Sequence, residues 1–258
     1  MTTHPITTTP PLSMRWRGFN LTIADKDSER EMAWRIRHDV FLKEMLGRPR
    51  PDGLERDSFD DHYDQVLVTS ATGEAVGTCR VISTVATERF YSASEFAIAP
   101  FLAQPGVKIE LGRVCLCPAW RNNLALAAMG RAIGWYARSH QASWIFGCTS
   151  IATVDPLMAT ALTRHFANTG AYTEGFGILP LPAFRLPHLA QSREGAAPAV
   201  DQGTLERLIP PLLRFYLRAG ASLGCEPALD QNFSCLDFFT IVNLEAHRHS
   251  VLGRYVPC

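Results

Sequence analysis

The chain has 258 residues, with 25 basic and 25 acidic side chains that give a formal net charge of zero at pH 7. This length suits one large domain, or a domain with an extension. Because the charges balance, no basic field spans the protein, and we expect no nucleic-acid partner.

Residues 1–15 predict a disordered arm, since they are rich in Thr and Pro and have no apolar core. Residues 16–258 predict a single domain, with a loop insertion at 185–203 and a C-terminal helix and strand over 204–258 that complete it. Neither a secretion signal nor a bilayer-spanning stretch is present in this sequence. Seven scattered cysteines favour a reducing compartment. We expect a cytoplasmic protein, and peripheral contact with the inner membrane is left open.

The predicted elements alternate between strands and helices. An alternating strand at 18–24 precedes a helix that ends near Gly47. Two strands, 65–70 and 76–83, are joined by a hairpin turn. An irregular link with exposed aromatic residues covers 92–102. After the central strand and helix come a strand at 143–148, a helix at 155–168, a helix starting at Pro210–Pro211 and a strand at 238–244. This order predicts an α/β fold whose mixed central sheet is flanked by helices.

The chemistry is concentrated in the central stretch, 108–123. Its apolar strand is interrupted by Glu110 and Arg113 and ends before Pro118, and a long helical pattern follows. Charges on such a strand are usually paired with each other or functional. The free N–H groups at the start of the following helix would suit an anionic or carbonyl-bearing ligand.

This strand, loop and helix resemble the GNAT acyltransferase superfamily, whose members bind the pantetheine arm of a thioester donor there. The resemblance implies an acyl-pantetheine site at Val114, Cys115, Leu116, Arg121, Asn122 and Asn123. The family's loop usually carries two glycines, which the run Arg121–Leu126 lacks. Close approach of a pyrophosphate needs glycine. The loop therefore favours acyl carrier protein over coenzyme A, with the acyl group carried on 4′-phosphopantetheine and no separate cofactor.

A set of charged and aromatic residues is similar to that of the acyl-homoserine-lactone synthases. In chain order the set is Arg37, Phe41, Glu55, Asp57, Phe59, Asp60, Arg80, Glu110 and Arg113. In that family the charged members form a network lining the cleft. The resemblance implies that Arg37, Arg80, Arg113, Asp57 and Asp60 bind the acceptor substrate. Ordinary salt bridges remain the alternative for each residue taken singly.

A wider resemblance, from about residue 35 to 255, is to the ornithine N-acyltransferases of ornithine-lipid synthesis. It is carried by the motifs at 90–96, 110–113, 146–148, 210–221 and 230–234. It implies transfer of a (3-hydroxy)acyl group from acyl carrier protein to the α-amino group of an amino acid, with L-ornithine favoured. Related N-acyl amino acid synthases share these motifs, so the acceptor stays open. The motifs leave the acyl chain length and the oligomeric state open as well.

Two other functions compete with this interpretation. A long-chain N-acyl amino acid or acyl-homoserine-lactone-type synthase is the first, although the extension past Gly203 argues against lactone formation. A non-catalytic module that binds acyl chains or carrier protein is the second, and the retained charged set argues against it.

Aminolysis of a thioester requires an unprotonated amine, a stabilised oxyanion and a protonated leaving thiolate. Glu110 is the candidate catalytic base, acting directly or through a water, and a structural ion pair with Arg113 is the alternative. Arg113 or Arg80 would hold the acceptor carboxylate, and Asp57 or Asp60 a cationic side chain. Five aromatic residues predict an acyl channel, with ordinary core packing as the alternative for each: Phe90, Phe96, Phe101, Trp144 and Phe146.

Two further patterns carry no chemistry. The sequence Gly220–Gly224 matches a serine nucleophile elbow, but a helix rather than a strand is predicted before the serine. The eight histidines are dispersed without paired spacing, so we expect no metal site.

Overall fold

The computed structural model describes residues 11–173, 175–186, 189, 200–224 and 226–246. Within that part of the chain, two compact units are distinguished: 11–88 with 107–143, and 89–106 with 144–246. None of the described helices is both long enough and apolar enough to cross a membrane.

The described strands are numbered in chain order. They are β1 (Ser13–Trp16), β2 (Phe19–Ile23), β3 (Asp64–Ser70), β4 (Ala75–Ser83), β5 (Val107–Leu116), β6 (Ala142–Ile151), β7 (Ser222–Leu223), β8 (Ala228–Asp230) and β9 (Cys235–Asn243). The α-helices are α1 (Asp27–Arg37), α2 (Ala99–Leu102), α3 (Asn123–Ser139), α4 (Pro156–Asn168), α5 (Gln202–Leu208) and α6 (Pro211–Arg218). A wide π-type helix, His38–Met45, continues α1.

The first unit is built on an antiparallel sheet in which β1 to β5 follow one another in chain order. The β3–β4 hairpin turns at Gly73, whose positive φ of 86° suits a residue without a Cβ atom. Helix α1 packs on β3 and β4, and Ile36 and Val40 join Leu67 and Cys115 in a buried cluster. This packing fixes the end of α1 that carries Arg37.

Strand β5 contains a bulge at the centre of the predicted site. Thr78 is opposite Cys115 and Arg80 is opposite Gly112, so two residues of β5 face a single residue of β4. Arg113 lies in the bulge with a φ of 52°, a left-handed conformation that is uncommon for a non-glycine residue. Such a bulge re-aims a side chain, here the Arg113 guanidinium.

The second unit is organised around β9, which pairs antiparallel with β6, β7 and β8. Its core joins these strands to α4 and α6 through Leu162, Phe166, Leu213, Leu236 and Phe238. Helix α4 begins at Pro156, where a missing N–H costs nothing. The Asp155 side chain caps it by accepting from the Leu157 amide at 2.8 Å.

The α/β class and the order of the main elements are confirmed. Strand pairings within each unit are antiparallel, and a single parallel bridge joins Tyr172 to Leu223. The predicted helix start at Pro210–Pro211 is confirmed by α6.

Three predictions are wrong in detail. The disordered arm was extended too far, because Ser13–Trp16 pairs with β2; residues 1–10 lie outside the described part. Helix α5 begins at Gln202, inside the predicted insertion, whose residues 187–188 and 190–199 are also not described. The aromatic residues of 92–102 are not exposed, since Phe96 and Phe101 are fully buried.

Candidate active site

The structure brings the five predicted acceptor-binding residues together in the first unit. They form one ion-pair network with Glu55: Arg37, Glu55, Asp57, Asp60, Arg80 and Arg113. Three guanidinium groups therefore face three carboxylates, and their formal charges cancel.

Arg37 is the buried centre of this network, and its side chain is 0% exposed. It donates to the Glu55 carboxylate and to both oxygens of Asp60, with an Nη2–Oδ2 distance of 2.9 Å. Burial opposes the charge of Arg37, but the hydrogen bond to Asp60 and the attraction of Glu55 outweigh it and raise its pKa. Arg37 is thus permanently charged and links α1 to Glu55 and Asp60.

Arg80 and Arg113 hold the other side of the network. From β4, Nη1 of Arg80 donates to both oxygens of Asp57 at 2.8 Å, and its guanidinium lies 5.1 Å from the Tyr63 ring centroid. From the β5 bulge, Arg113 contacts Glu55 and Asp57, each at 3.3 Å. The accessible edge is formed by Arg113 and Asp57, whose side chains are 13% and 29% exposed.

Asp57 stays ionised at this edge. Burial raises the pKa of its carboxyl, but the positive charges of Arg80 and Arg113 outweigh that effect, so the net pKa lies below its ordinary value. The carboxylate is therefore charged at neutral pH, and both of its oxygens accept hydrogen bonds from Arg80.

Glu110, the predicted base, lies on β5 opposite Ile82 and is 1% exposed. The hydroxyl of Tyr63 donates a hydrogen bond to its Oε2. Sequence reasoning missed Tyr63, whose signal was an aromatic residue two positions after Asp61. A buried carboxylate beside a hydroxyl can accept a proton from an amine and is protected from bulk water.

The predicted pantetheine residues lie at the end of β5 and the start of α3. Oδ1 of Asn122 caps α3, accepting from the amides of Leu124 and Ala125 at 3.0 and 2.9 Å. Two of the N–H groups that we expected to be free for a ligand are therefore already satisfied. Burial raises the pKa of the Cys115 thiol, which packs in the buried cluster with Ile36, Val40 and Leu67.

Arg121 forms a bidentate pair with Glu44 on the protein surface. Nη1 and Nη2 of Arg121 each lie 2.6 Å from a Glu44 oxygen, and Nε donates to the carbonyl of Leu116 at 3.2 Å. The pair is solvent-exposed, so a charged partner could compete with Glu44 for the guanidinium.

The predicted acyl-channel residues lie in the second unit and pack together. Ring contacts join Phe90 to Phe146 and Phe101 to both Phe146 and Trp144, at centroid distances of 5.3 to 5.8 Å. Phe96 contacts Phe239, which the sequence analysis did not select. These rings form a close-packed cluster in the structure, and their role as a channel stays a prediction.

Several known proteins are similar to this chain in sequence or in fold. The family profile of the acetyltransferase (GNAT) domain matches residues 36–131. An L-ornithine N(alpha)-acyltransferase of Agrobacterium fabrum is 30% identical, over 91% of this chain and 82% of that protein. The protein of the same name from Rhizobium meliloti is 31% identical, over 91% and 81%.

Among solved structures, FeeM, an N-acyl amino acid synthase from uncultured soil microbes, has the same fold. Its TM-score is 0.52 at 10% identity, covering 92% of this chain and 98% of that chain. The sequence identity to the two relatives extends over both units and not only over the part matched by the profile. This chain therefore belongs to the L-ornithine N(alpha)-acyltransferase family.

Proposed function

We propose that this protein transfers a (3-hydroxy)acyl group from acyl carrier protein to the α-amino group of L-ornithine, giving a lyso-ornithine lipid. The names of its relatives support the acceptor. The observation that carries the proposal is the buried Glu110–Tyr63 pair. It lies on the same sheet as the ion-pair network, whose accessible edge presents a positive group, Arg113, and a negative group, Asp57.

In the proposed reaction, Glu110 takes a proton from the α-ammonium group of the acceptor. The freed nitrogen attacks the thioester carbonyl carbon and forms an oxyanion, which backbone N–H groups near Val114–Leu116 stabilise. The C–N bond is kept while the C–S bond breaks, and Glu110 gives its proton to the departing thiolate. The nitrogen releases its second proton to solvent as the amide forms, so Glu110 ends as the carboxylate with which it began. Since the thioester already supplies an activated acyl group, the reaction uses no resident cofactor.

The acceptor would be recognised at the accessible edge of the network. Arg113 pairs with the acceptor carboxylate and Asp57 with its side-chain ammonium, which replaces part of the existing ion pairing between them. Arg80 and Asp60 are more deeply buried, at 1% and 2% side-chain exposure. They serve in this proposal as the support that holds Arg113 and Asp57 in place.

The donor assignment rests on the loop before α3. Because the loop lacks the two glycines, a pyrophosphate would not approach its backbone closely. A carrier protein presents only one phosphodiester, so it does not need that approach. Carrier proteins of this kind are acidic, and Arg121 offers an exposed guanidinium held by a surface carboxylate.

The donor is tested by competition between acyl carrier protein and coenzyme A thioesters of equal chain length, with ornithine as acceptor. We expect faster transfer from the carrier protein, and a preference for the coenzyme A thioester would refute the donor. The acceptor is tested by offering lysine and glutamine in parallel. Faster acylation of either one would refute ornithine. Glu110→Gln is the inactive control, and the exposed Glu88→Gln is its matched active control.

A further inference from the structure

A second group of ionisable side chains lies in the second unit, where neither the proposed reaction nor the predicted channel uses it. Asp230 ends β8, and Cys235 and Asp237 lie on β9. Each of the three is 3% exposed. One ligand atom from each lies within 4.8 Å of the others. Such a spacing is compatible with one shared ion, for which metal–ligand distances are about 2.0–2.4 Å.

Glu95 adds an independent observation. Its side chain comes from the segment before α2, is 2% exposed, and faces Asp237 and Asp230. Tyr91 and Asp237 lie within hydrogen-bond reach of the carboxyl. The Oε2 atom of Glu95, however, is buried with no hydrogen-bond partner among the described residues. A buried carboxylate oxygen without a donor is costly, and a cation would satisfy it.

The group is already ordered in the way that metal ligands usually are. Oδ1 of Asp230 accepts from the amides of Asn232 and Phe233 at 2.7 and 3.2 Å. Oδ1 of Asp237 accepts from the Ser150 hydroxyl. Such outer hydrogen bonds fix the orientation of ligating carboxylates.

The local field is negative. Neither Glu95 nor Asp230 pairs with a basic side chain in the described ranges. The charged side chains that act on Glu95 are Asp237 and Asp230. A group of buried acidic side chains is an environment that attracts a cation.

We propose that Asp230, Cys235, Asp237 and Glu95 bind one divalent transition-metal ion, with zinc as the ion that a mixed set of oxygen and sulfur ligands selects. Calcium and magnesium prefer oxygen ligands alone, so they would leave Cys235 unused. The deep burial of every ligand suits a closed structural site.

The proposal departs from the sequence-based expectation that no metal site exists. Glu95 lies 135 positions before Asp230 in the numbering, so no local spacing reveals the set. It is independent of the proposed acyl transfer, because a structural ion on β8 and β9 would act on stability and not on the reacting atoms.

The test uses the full-length protein, stripped with a chelator and titrated with Zn²⁺, Co²⁺, Mg²⁺ and Ca²⁺. Bound metal is counted by mass spectrometry, and the melting temperature is followed in each titration. Cobalt reports sulfur ligation through its thiolate charge-transfer band. The variant Cys235→Ser removes the sulfur without changing a carboxylate, and Cys117→Ser is the matched control. Asp237→Asn is compared with the exposed Asp61→Asn.

We expect about one tightly held Zn²⁺ or Co²⁺ per chain, a rise in melting temperature with Zn²⁺ and a thiolate–cobalt band. The band should disappear in Cys235→Ser and persist in Cys117→Ser, and affinity should fall roughly tenfold or more in Asp237→Asn. Failure of the wild type to retain metal or gain stability would overturn the proposal. So would an unchanged band in Cys235→Ser, or stabilisation by ornithine and not by metal. If Asp237→Asn does not fold, the wild-type and Cys235→Ser measurements still decide the question.

Discussion

Replacing Arg37 with methionine tests the buried charge network directly. Methionine keeps the length and helix propensity of the side chain but removes the only charge of Arg37. Glu55 and Asp60, at 4% and 2% side-chain exposure, each lose a guanidinium partner in a region with little water. Breaking a buried ion pair by removing one partner costs about 3–5 kcal/mol. For a chain of this size that lowers the melting temperature by about 6–20 °C.

Arg35→Met is the matched control on the same helix. Arg35 is 57% exposed and pairs with Glu31 one turn away, an arrangement worth about 0.3–0.5 kcal/mol. Thermal unfolding followed by circular dichroism should therefore separate the two variants clearly. Arg37→Lys should fall between them, since it keeps the charge and loses the bidentate geometry. A shift for Arg37→Met no larger than that for Arg35→Met would refute the reasoning.

Three further predictions concern the candidate site. Glu110→Gln should lower turnover by about 10²–10⁴-fold with folding intact, because the amide cannot accept a proton. The measurement is the steady-state rate, and near-normal turnover would show that Glu110 is not the base. Gly77→Ala should destabilise β4–β5 pairing, because its Cβ would lie 2.7 Å from the Cys115 carbonyl oxygen; an unchanged melting temperature would contradict the geometry. Arg121→Gln should raise KM for acyl carrier protein, while Glu44→Gln, which releases Arg121, should lower it. Equal KM values in both variants would mean that the carrier docks elsewhere.

Much of the fold could be predicted because hydrophobic periodicity follows secondary structure. The alternation of apolar and polar residues at 18–24 predicted β2. The turn at Gly73 predicted the hairpin, and Pro211 predicted the start of α6. The strand that carries Glu110 and Arg113 was also recognised from its interrupted apolar pattern. Boundaries were less certain, since residues 13–16 carry no strong pattern and become a strand by pairing with β2.

The site could be predicted only in part, because its partners are set by tertiary contacts. The charged residues that the sequence singled out lie together in the structure, but the pairing of Arg80 with Asp57 depends on strand register. The bulge at Arg113 leaves no mark in the sequence, and it decides where that guanidinium points. Asn122 was assigned to a ligand, yet its side chain caps α3.

The most direct test of the central claim is tandem mass spectrometry of the product. Purified protein is incubated with 3-hydroxyacyl carrier protein and ornithine labelled with ¹⁵N at the α-amino group, beside a Glu110→Gln control. The account predicts an N-acylornithine whose acyl-bearing nitrogen is ¹⁵N, formed by the wild type and at most in traces by the variant. Acylation of the unlabelled δ-nitrogen, or no acylornithine from the folded wild-type protein, would contradict it.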